Sequence, residues 1–112
     1  MTDSVSVIRT KRLEICDSRG ECVISLDCWS DGKPFVRLYD HQGREKLVLS
    51  LNQHDEPQIG LLDEDGKTLV GIGVNKQLGS GLNIFDNNGV MRLCAFVNVH
   101  GKPIIKENNR ER

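Results

Sequence analysis

The stretch Val36-Arg37-Leu38-Tyr39-Asp40-His41-Gln42-Gly43-Arg44-Glu45-Lys46-Leu47-Val48-Leu49-Ser50-Leu51 decides the fold. Aliphatic side chains stand at alternate positions on both sides of an interruption that runs from Asp40 to Gly43. A period of two puts every second side chain on one face of a strand, and a glycine-bearing polar break is the kind of segment that reverses a chain. The stretch reads as a β-hairpin with a short first arm and a longer second one.

The same reading applies along most of the chain. Aspartate recurs at Asp17, Asp40, Asp63 and Asp86, 23 residues apart, with glycine three positions later at Gly20, Gly43, Gly66 and Gly89. The short arms carry Leu13 and Ile15, Val36 and Leu38, Ile59 and Leu61, then Leu82 and Ile84. The long arms carry Ile24-Leu26-Cys28, Leu47-Leu49-Leu51, Val70-Ile72-Val74 and Leu93-Ala95-Val97 as their alternate residues. Polar links close the copies at Pro34, Pro57 and Pro103, with Ser80 in the third, and Ile105 opens a fifth copy that fades.

The expected fold is therefore all-β, with four 23-residue hairpin repeats in a meander, at about residues 13–35, 36–58, 59–81 and 82–104 of one domain spanning 1–112. Residues 107–112 are expected to be a frayed tail. Strands are expected roughly at 7–16, 22–29, 35–39, 45–52, 58–62, 68–75, 81–85, 90–99 and 103–106. A meander with one apolar face needs a second layer over that face. Closure as a barrel or solenoid would supply it within the chain, and so would packing on a second sheet. Association of several chains about an axis would supply it between copies. Aromatics at only 4% and aliphatics at the core positions favour narrow layers, hence a prism-like homo-oligomer with a trimer as the expected form.

Two turn registers fit Asp-x-x-Gly. A three-residue loop with a glycine bulge pairs Cys16 with Cys22, Tyr39 with Glu45 and Phe85 with Met91, but sends the short-arm aliphatics to the face opposite Leu47 and Leu49. A four-residue loop pairs the residue before Asp with the residue after Gly and keeps all the aliphatics on one face. One apolar face is what a half-buried sheet requires, so the four-residue loop is favoured.

In that register Cys22 and Cys28 share the apolar face with Ile24 and Leu26. Cys16, Cys22, Cys28 and Cys94 show no Cys-x-x-Cys spacing and no adjacent histidine, so a zinc site is not expected; free structural thiols are the first expectation and a disulfide is the alternative. Reduced thiols suit a cytoplasmic setting.

Charge and hydropathy narrow the function classes. Fifteen basic and 16 acidic residues are spread along the chain for a net charge of −1, which gives no strong attraction to nucleic acid or to an anionic membrane. Arg9, Lys11 and Arg12, and Lys106, Arg110 and Arg112, read as solvated ends. No apolar run approaches the ~20 residues of a membrane span, and Met1-Thr2-Asp3-Ser4 is not a signal sequence. The expectation is a soluble cytoplasmic protein.

Motifs for chemistry are sparse. Asp63-Glu64-Asp65-Gly66 is the most acidic turn, yet it supplies too few oxygens for a calcium loop and its extra acids do not recur in the other copies. His41 sits in a turn, while His54 and His100 occupy one repeat position in two links that the third copy separates. Neither a metal nor a cofactor is expected. No nucleophile elbow, phosphate loop or paired carboxylates stand outside the turns, so the chain is not expected to be an enzyme.

The unit running from Val36 through Asp40, Gly43, Arg44, Leu47 and Leu49 to Pro57 resembles repeats in uncharacterised bacterial proteins, of the form LxLxDxxGxxRxxLxL followed by proline. The resemblance spans about residues 8–106 and implies no activity. The period also equals that of MORN repeats, but their recurring aromatic and Gly-x-Gly pattern is missing, so only serially stacked hairpins carry over.

The functional expectation is a non-catalytic structural or self-associating β-repeat module. The alternative is a module binding a protein or glycan through the links between hairpins, with Trp29, His54 and His100 as candidate binding residues. Trp29 is the one tryptophan and stands where the other copies have Asn52, Asn75 and Asn98. It is read first as a cap over the first repeat.

Overall fold

The computed structural model describes residues 6–109. Nine strands form one open antiparallel sheet: β1 (Leu13–Cys16), β2 (Cys22–Cys28), β3 (Pro34–Tyr39), β4 (Glu45–Leu51), β5 (Pro57–Leu62), β6 (Thr68–Gly73), β7 (Ser80–Phe85), β8 (Met91–Val97) and β9 (Pro103–Glu107). Their order across the sheet is their order along the chain, and the described residues contain no helix. This is the all-β meander that the alternating pattern predicts.

β1 starts at Leu13, well inside the expected 7–16, because Arg9-Thr10-Lys11-Arg12 bring no aliphatic to an edge that has a single neighbour. Val7 and Ile8 are exposed. At the other edge the Asn108 N–H donates to the Arg92 carbonyl at 2.9 Å, so the ladder extends past β9. Met1-Thr2-Asp3-Ser4 and Arg110 to Arg112 lie outside the described residues.

The turns correct the favoured register. In the first, the Gly20 N–H donates to Asp17 O at 3.0 Å and the Asp17 N–H to Glu21 O at 2.8 Å, and Cys16 faces Cys22. Tyr39–Glu45, Leu62–Thr68 and Phe85–Met91 face one another in the same way. These are the closing pairs of the three-residue loop with a glycine bulge. Gly20, Gly43, Gly66 and Gly89 have φ between 80° and 84°, a left-handed conformation that glycine takes without a Cβ penalty.

A second bulge follows one residue later, because the next pairs are Ile15–Ile24, Leu38–Leu47, Leu61–Val70 and Ile84–Leu93. Val23, Lys46, Leu69 and Arg92 are the extra residues. Each shifts the alternation by one and returns the long-arm aliphatics to the face of the short-arm ones. The single apolar face thus forms as expected, but through two irregularities instead of a wider loop. Cys22 falls before the second bulge, opposite Cys16 and out of step with Ile24, so it does not share the apolar face as the four-residue loop required.

The register lays two rows across the sheet. One runs Leu13, Leu26, Val36, Leu49, Ile59, Ile72, Leu82, Ala95 and Ile105, and the other runs Ile15, Ile24, Leu38, Leu47, Leu61, Val70, Ile84 and Leu93, ending at Glu107. The opposite face carries Ser25, Arg37, Val48, Gly60, Gly71, Asn83, Cys94 and Lys106 between those rows, and Phe35, Ser50, Gln58, Gly73, Gly81 and Phe96 beyond the first of them.

The links between hairpins repeat the turn chemistry on the other edge. Asn52 and Asn98 each accept two backbone N–H groups on Oδ1, as do Asp17, Asp40, Asp63 and Asp86. An amide or carboxylate oxygen at the first turn position satisfies donors that the reversal leaves free. The third link is looser, with the Gly79 N–H reaching Asn75 O at 2.9 Å. Asp55 takes the left-handed place that Gly32 and Gly101 hold in the other links, at φ 60°.

A single layer leaves little interior. Phe35 is the one buried apolar residue among those described, and Ser25 and Glu56 are the buried polar ones. The radius of gyration is 17.9 Å, against about 13 Å for a compact domain of this length. The accessible surface is 8668 Å², against about 6,200 Å² for a compact monomer of this mass.

Candidate functional site

The two faces of the sheet offer different surfaces. On the apolar face the side chains are open to solvent even at the centre of the sheet: Leu49 is 38% exposed, Leu61 37% and Ile72 43%. These are ordinary core residues by type, held in two rows by the ladder, and no described residue forms a layer above them. A contiguous array of this size exceeds what single soluble chains normally leave exposed.

The opposite face holds a depression of about 960 Å³ whose lining includes Trp29, Arg37, Gln58, Asn83, Phe96 and His100. Gly60 faces Gly71 across one strand pair, and Gly73 faces Gly81 across the next, so the middle of this face is bare backbone. A Cβ on Gly60 or Gly71 would meet nothing closer than 3.7 Å and 3.9 Å, respectively. One on Gly81 would lie 2.0 Å from Ala95 O and 2.5 Å from the Phe96 Cα. Only glycine fits at Gly81, where the two backbones close on each other.

At the β3 end, three side chains pack together. The Trp29 and Phe35 rings lie 4.6 Å apart, and the Arg37 guanidinium stands 4.2 Å from the Phe35 ring and 5.6 Å from Trp29. Arg37 also pairs with Glu45 at 3.1 Å, while its Nε is buried with no hydrogen-bond partner. Stacking on aromatic rings favours a guanidinium over an ammonium here. Beneath the cluster, Ser25 Oγ and the Tyr39 hydroxyl share a hydrogen bond of 3.1 Å. At the β9 end, Lys106 stands 5.8 Å from the Phe96 ring.

The three binding candidates named from sequence sit in links along one edge and do not converge. Trp29 and His100 border the depression from different links, with Trp29 packed over Phe35 and Arg37. His54 is outside it, its backbone N–H donated to Asn52 and its ring beside Gln53. Phe35, Arg37 and Glu56 were missed. The copies hold a signal for them: the position of Arg37 reads Glu14, Arg37, Gly60, Asn83 and Lys106, and that of Glu56 reads Lys33, Glu56, Gly79 and Lys102. These are places where the repeat breaks within an otherwise regular frame.

The turn aspartates are occupied by backbone hydrogen bonds. The Arg44 N–H, then that of Gln42, and the Arg44 side chain hold Asp40 down at about 2. Asp17, Asp63 and Asp86 are lowered by the backbone N–H groups of Glu21, Lys67 and Val90, respectively. Such groups remain ionised at neutral pH as turn acceptors. Among the described residues no three His, Cys, Asp or Glu side chains cluster as a metal ion would require, and no helix is long and apolar enough to cross a membrane. No family model and no curated protein sequence matches the chain.

Proposed function

We propose that the chain is a non-catalytic structural module of four 23-residue hairpins that self-associates through its apolar face. The observation that carries the reading is the pair of aliphatic rows crossing the sheet with no described residue over them. Nine strands at about 4.8 Å spacing, with an apolar band about 17 Å wide, present roughly 700 Å² per copy. Two such faces would bury about 1,400 Å² together, the size of a stable specific interface. Burial at about 25 cal/mol per Å² would then supply the driving force that an isolated layer lacks. Glu107, which ends one row, and Pro103 at the start of β9 discourage indefinite edge-to-edge growth. Grouped about an axis, such faces would close a prism-like homo-oligomer, with a trimer as the favoured form.

Light scattering at several concentrations tests the reading. An oligomer is expected, and Leu49→Asp, which places a charge in the apolar band, should dissociate or unfold it. Ser50→Asp, one residue away on the other face, should leave the mass unchanged. A compact monomer that tolerates Leu49→Asp would sink the proposal. A second reading, in which the chain binds a protein or glycan, is favoured by one observation, the Trp29–Phe35–Arg37 cluster beside the glycine floor of the depression.

A further inference from the structure

Cys16 and Cys22 are direct cross-strand partners between β1 and β2. The Asp17–Glu21 pair beside them carries the backbone hydrogen bond, so Cys16 and Cys22 occupy the following non-hydrogen-bonded position, where Cα atoms are about 4.5 Å apart and side chains are closest. That separation lies within the roughly 4.4–6.8 Å that a disulfide spans. Neither thiol is bridged: Cys16 is exposed, and the Cys22 Sγ is 3.3 Å from the Ile24 carbonyl. Burial, and then the neighbouring Glu14 and Cys16, raise the Cys22 thiol above its ordinary value. The remaining cysteines are placed elsewhere, Cys28 opposite Pro34 and Cys94 between Asn83 and Lys106.

The geometry points to Cys16 and Cys22 as an oxidisable dithiol that closes into an intrachain disulfide and clamps the edge strand β1 to the sheet. β1 needs such a clamp more than any other strand, since it has four residues and one neighbour. Cys16 follows Ile15 and so faces away from the apolar side. Its oxidation is therefore compatible with an assembly built on that side.

The chemistry requires a disulfide reagent such as oxidised glutathione. The exposed Cys16, as thiolate, attacks one sulfur of the reagent, forming a mixed disulfide and releasing one glutathione thiolate. The Cys22 thiolate then attacks the Cys16 sulfur and the second glutathione leaves. Two protons and two electrons leave the protein, and the reagent is reduced to two thiols.

Incubation of the folded full-length chain with oxidised glutathione, an acid quench, and digestion with trypsin and an Asp-directed protease tests this without any substitution. The expected product joins residues 13–16 to residues 20–26, because cleavage before Asp27 separates Cys22 from Cys28. Amide exchange in β1 should slow about tenfold or more in the oxidised protein, as a covalent tie suppresses local opening. A Cys16–glutathione adduct that persists, a link from Cys16 to Cys28, Cys94 or another chain, or unchanged β1 exchange would overturn the inference.

Discussion

The carboxylate of Glu56 accepts the backbone N–H of Lys76 at 2.6 Å across 20 residues of sequence and holds two neighbouring links together. Glu56 is also bound by the Asn52 side chain at 3.0 Å, and it is only 5% exposed. Those two donors, the Asn52 amide first, lower its proton affinity.

Replacement of Glu56 by alanine leaves the Lys76 N–H and the Asn52 amide without their acceptor. The unfolding midpoint should fall by about 5 °C. Glu56→Gln, which keeps one acceptor oxygen but no charge, should fall less. Thermal melts followed by circular dichroism measure both.

Acid should destabilise the protein over a definite range. Asp17, Asp40, Asp63, Asp86 and Glu56 all have folded values below their ordinary ones, and Asp40 reaches about 2. A carboxylate depressed by folding contributes stability above its unfolded value, 3.8 for Asp, and loses that contribution as pH falls through its folded value. Melting temperature should be level in this respect above about pH 5 and drop between about pH 4 and 2. Asp40→Asn should flatten part of that drop, because an amide oxygen still accepts the turn N–H groups but does not titrate. Asn52 and Asn98 already serve so in the links.

The glycines of the polar face should divide sharply. Gly81→Ala puts a Cβ within 2.5 Å of the Phe96 backbone and should cost about 3 kcal/mol or prevent folding. Gly60→Ala and Gly71→Ala meet only ordinary contacts and should change stability by less than about 1 kcal/mol. Urea melts of the three variants decide it, and equal losses at all three would show that the close approach at Gly81 is wrong.

Asp55→Gly should raise the melting temperature by a few degrees. Asp55 holds a left-handed conformation that glycine adopts freely, and its exposed pair with Lys33 at 2.7 Å is worth little in water. Gly43→Ala, which introduces a Cβ at φ 80°, should shift the melt the other way.

Fold class was legible because it rests on local rules. Alternating aliphatics, Asp-x-x-Gly turns and proline-ended links act within a few residues of themselves, and nine strands appear where they direct. The apolar face was legible too, since a half-buried sheet admits only one such face. The way the chain reaches it was not. Asp-x-x-Gly is compatible with either loop, and the choice belongs to backbone hydrogen bonds at Gly20 and Glu21 and to a bulge whose residue type varies from Val23 to Lys46, Leu69 and Arg92. The placement of Cys22 followed the wrong loop for that reason.

The candidate site divides in the same manner. Sequence by itself determined the repeat, the turns and the list of residues that depart from it, among them Trp29, His54 and His100. Tertiary structure alone decided which of those come together: Trp29 with Phe35 and Arg37, Glu56 with Lys76, and Cys16 with Cys22, while His54 lies outside the depression. Periodicity is written in each residue's own neighbourhood, whereas a cross-strand partner depends on register, and register is set by bulges and hydrogen bonds that no single residue type encodes.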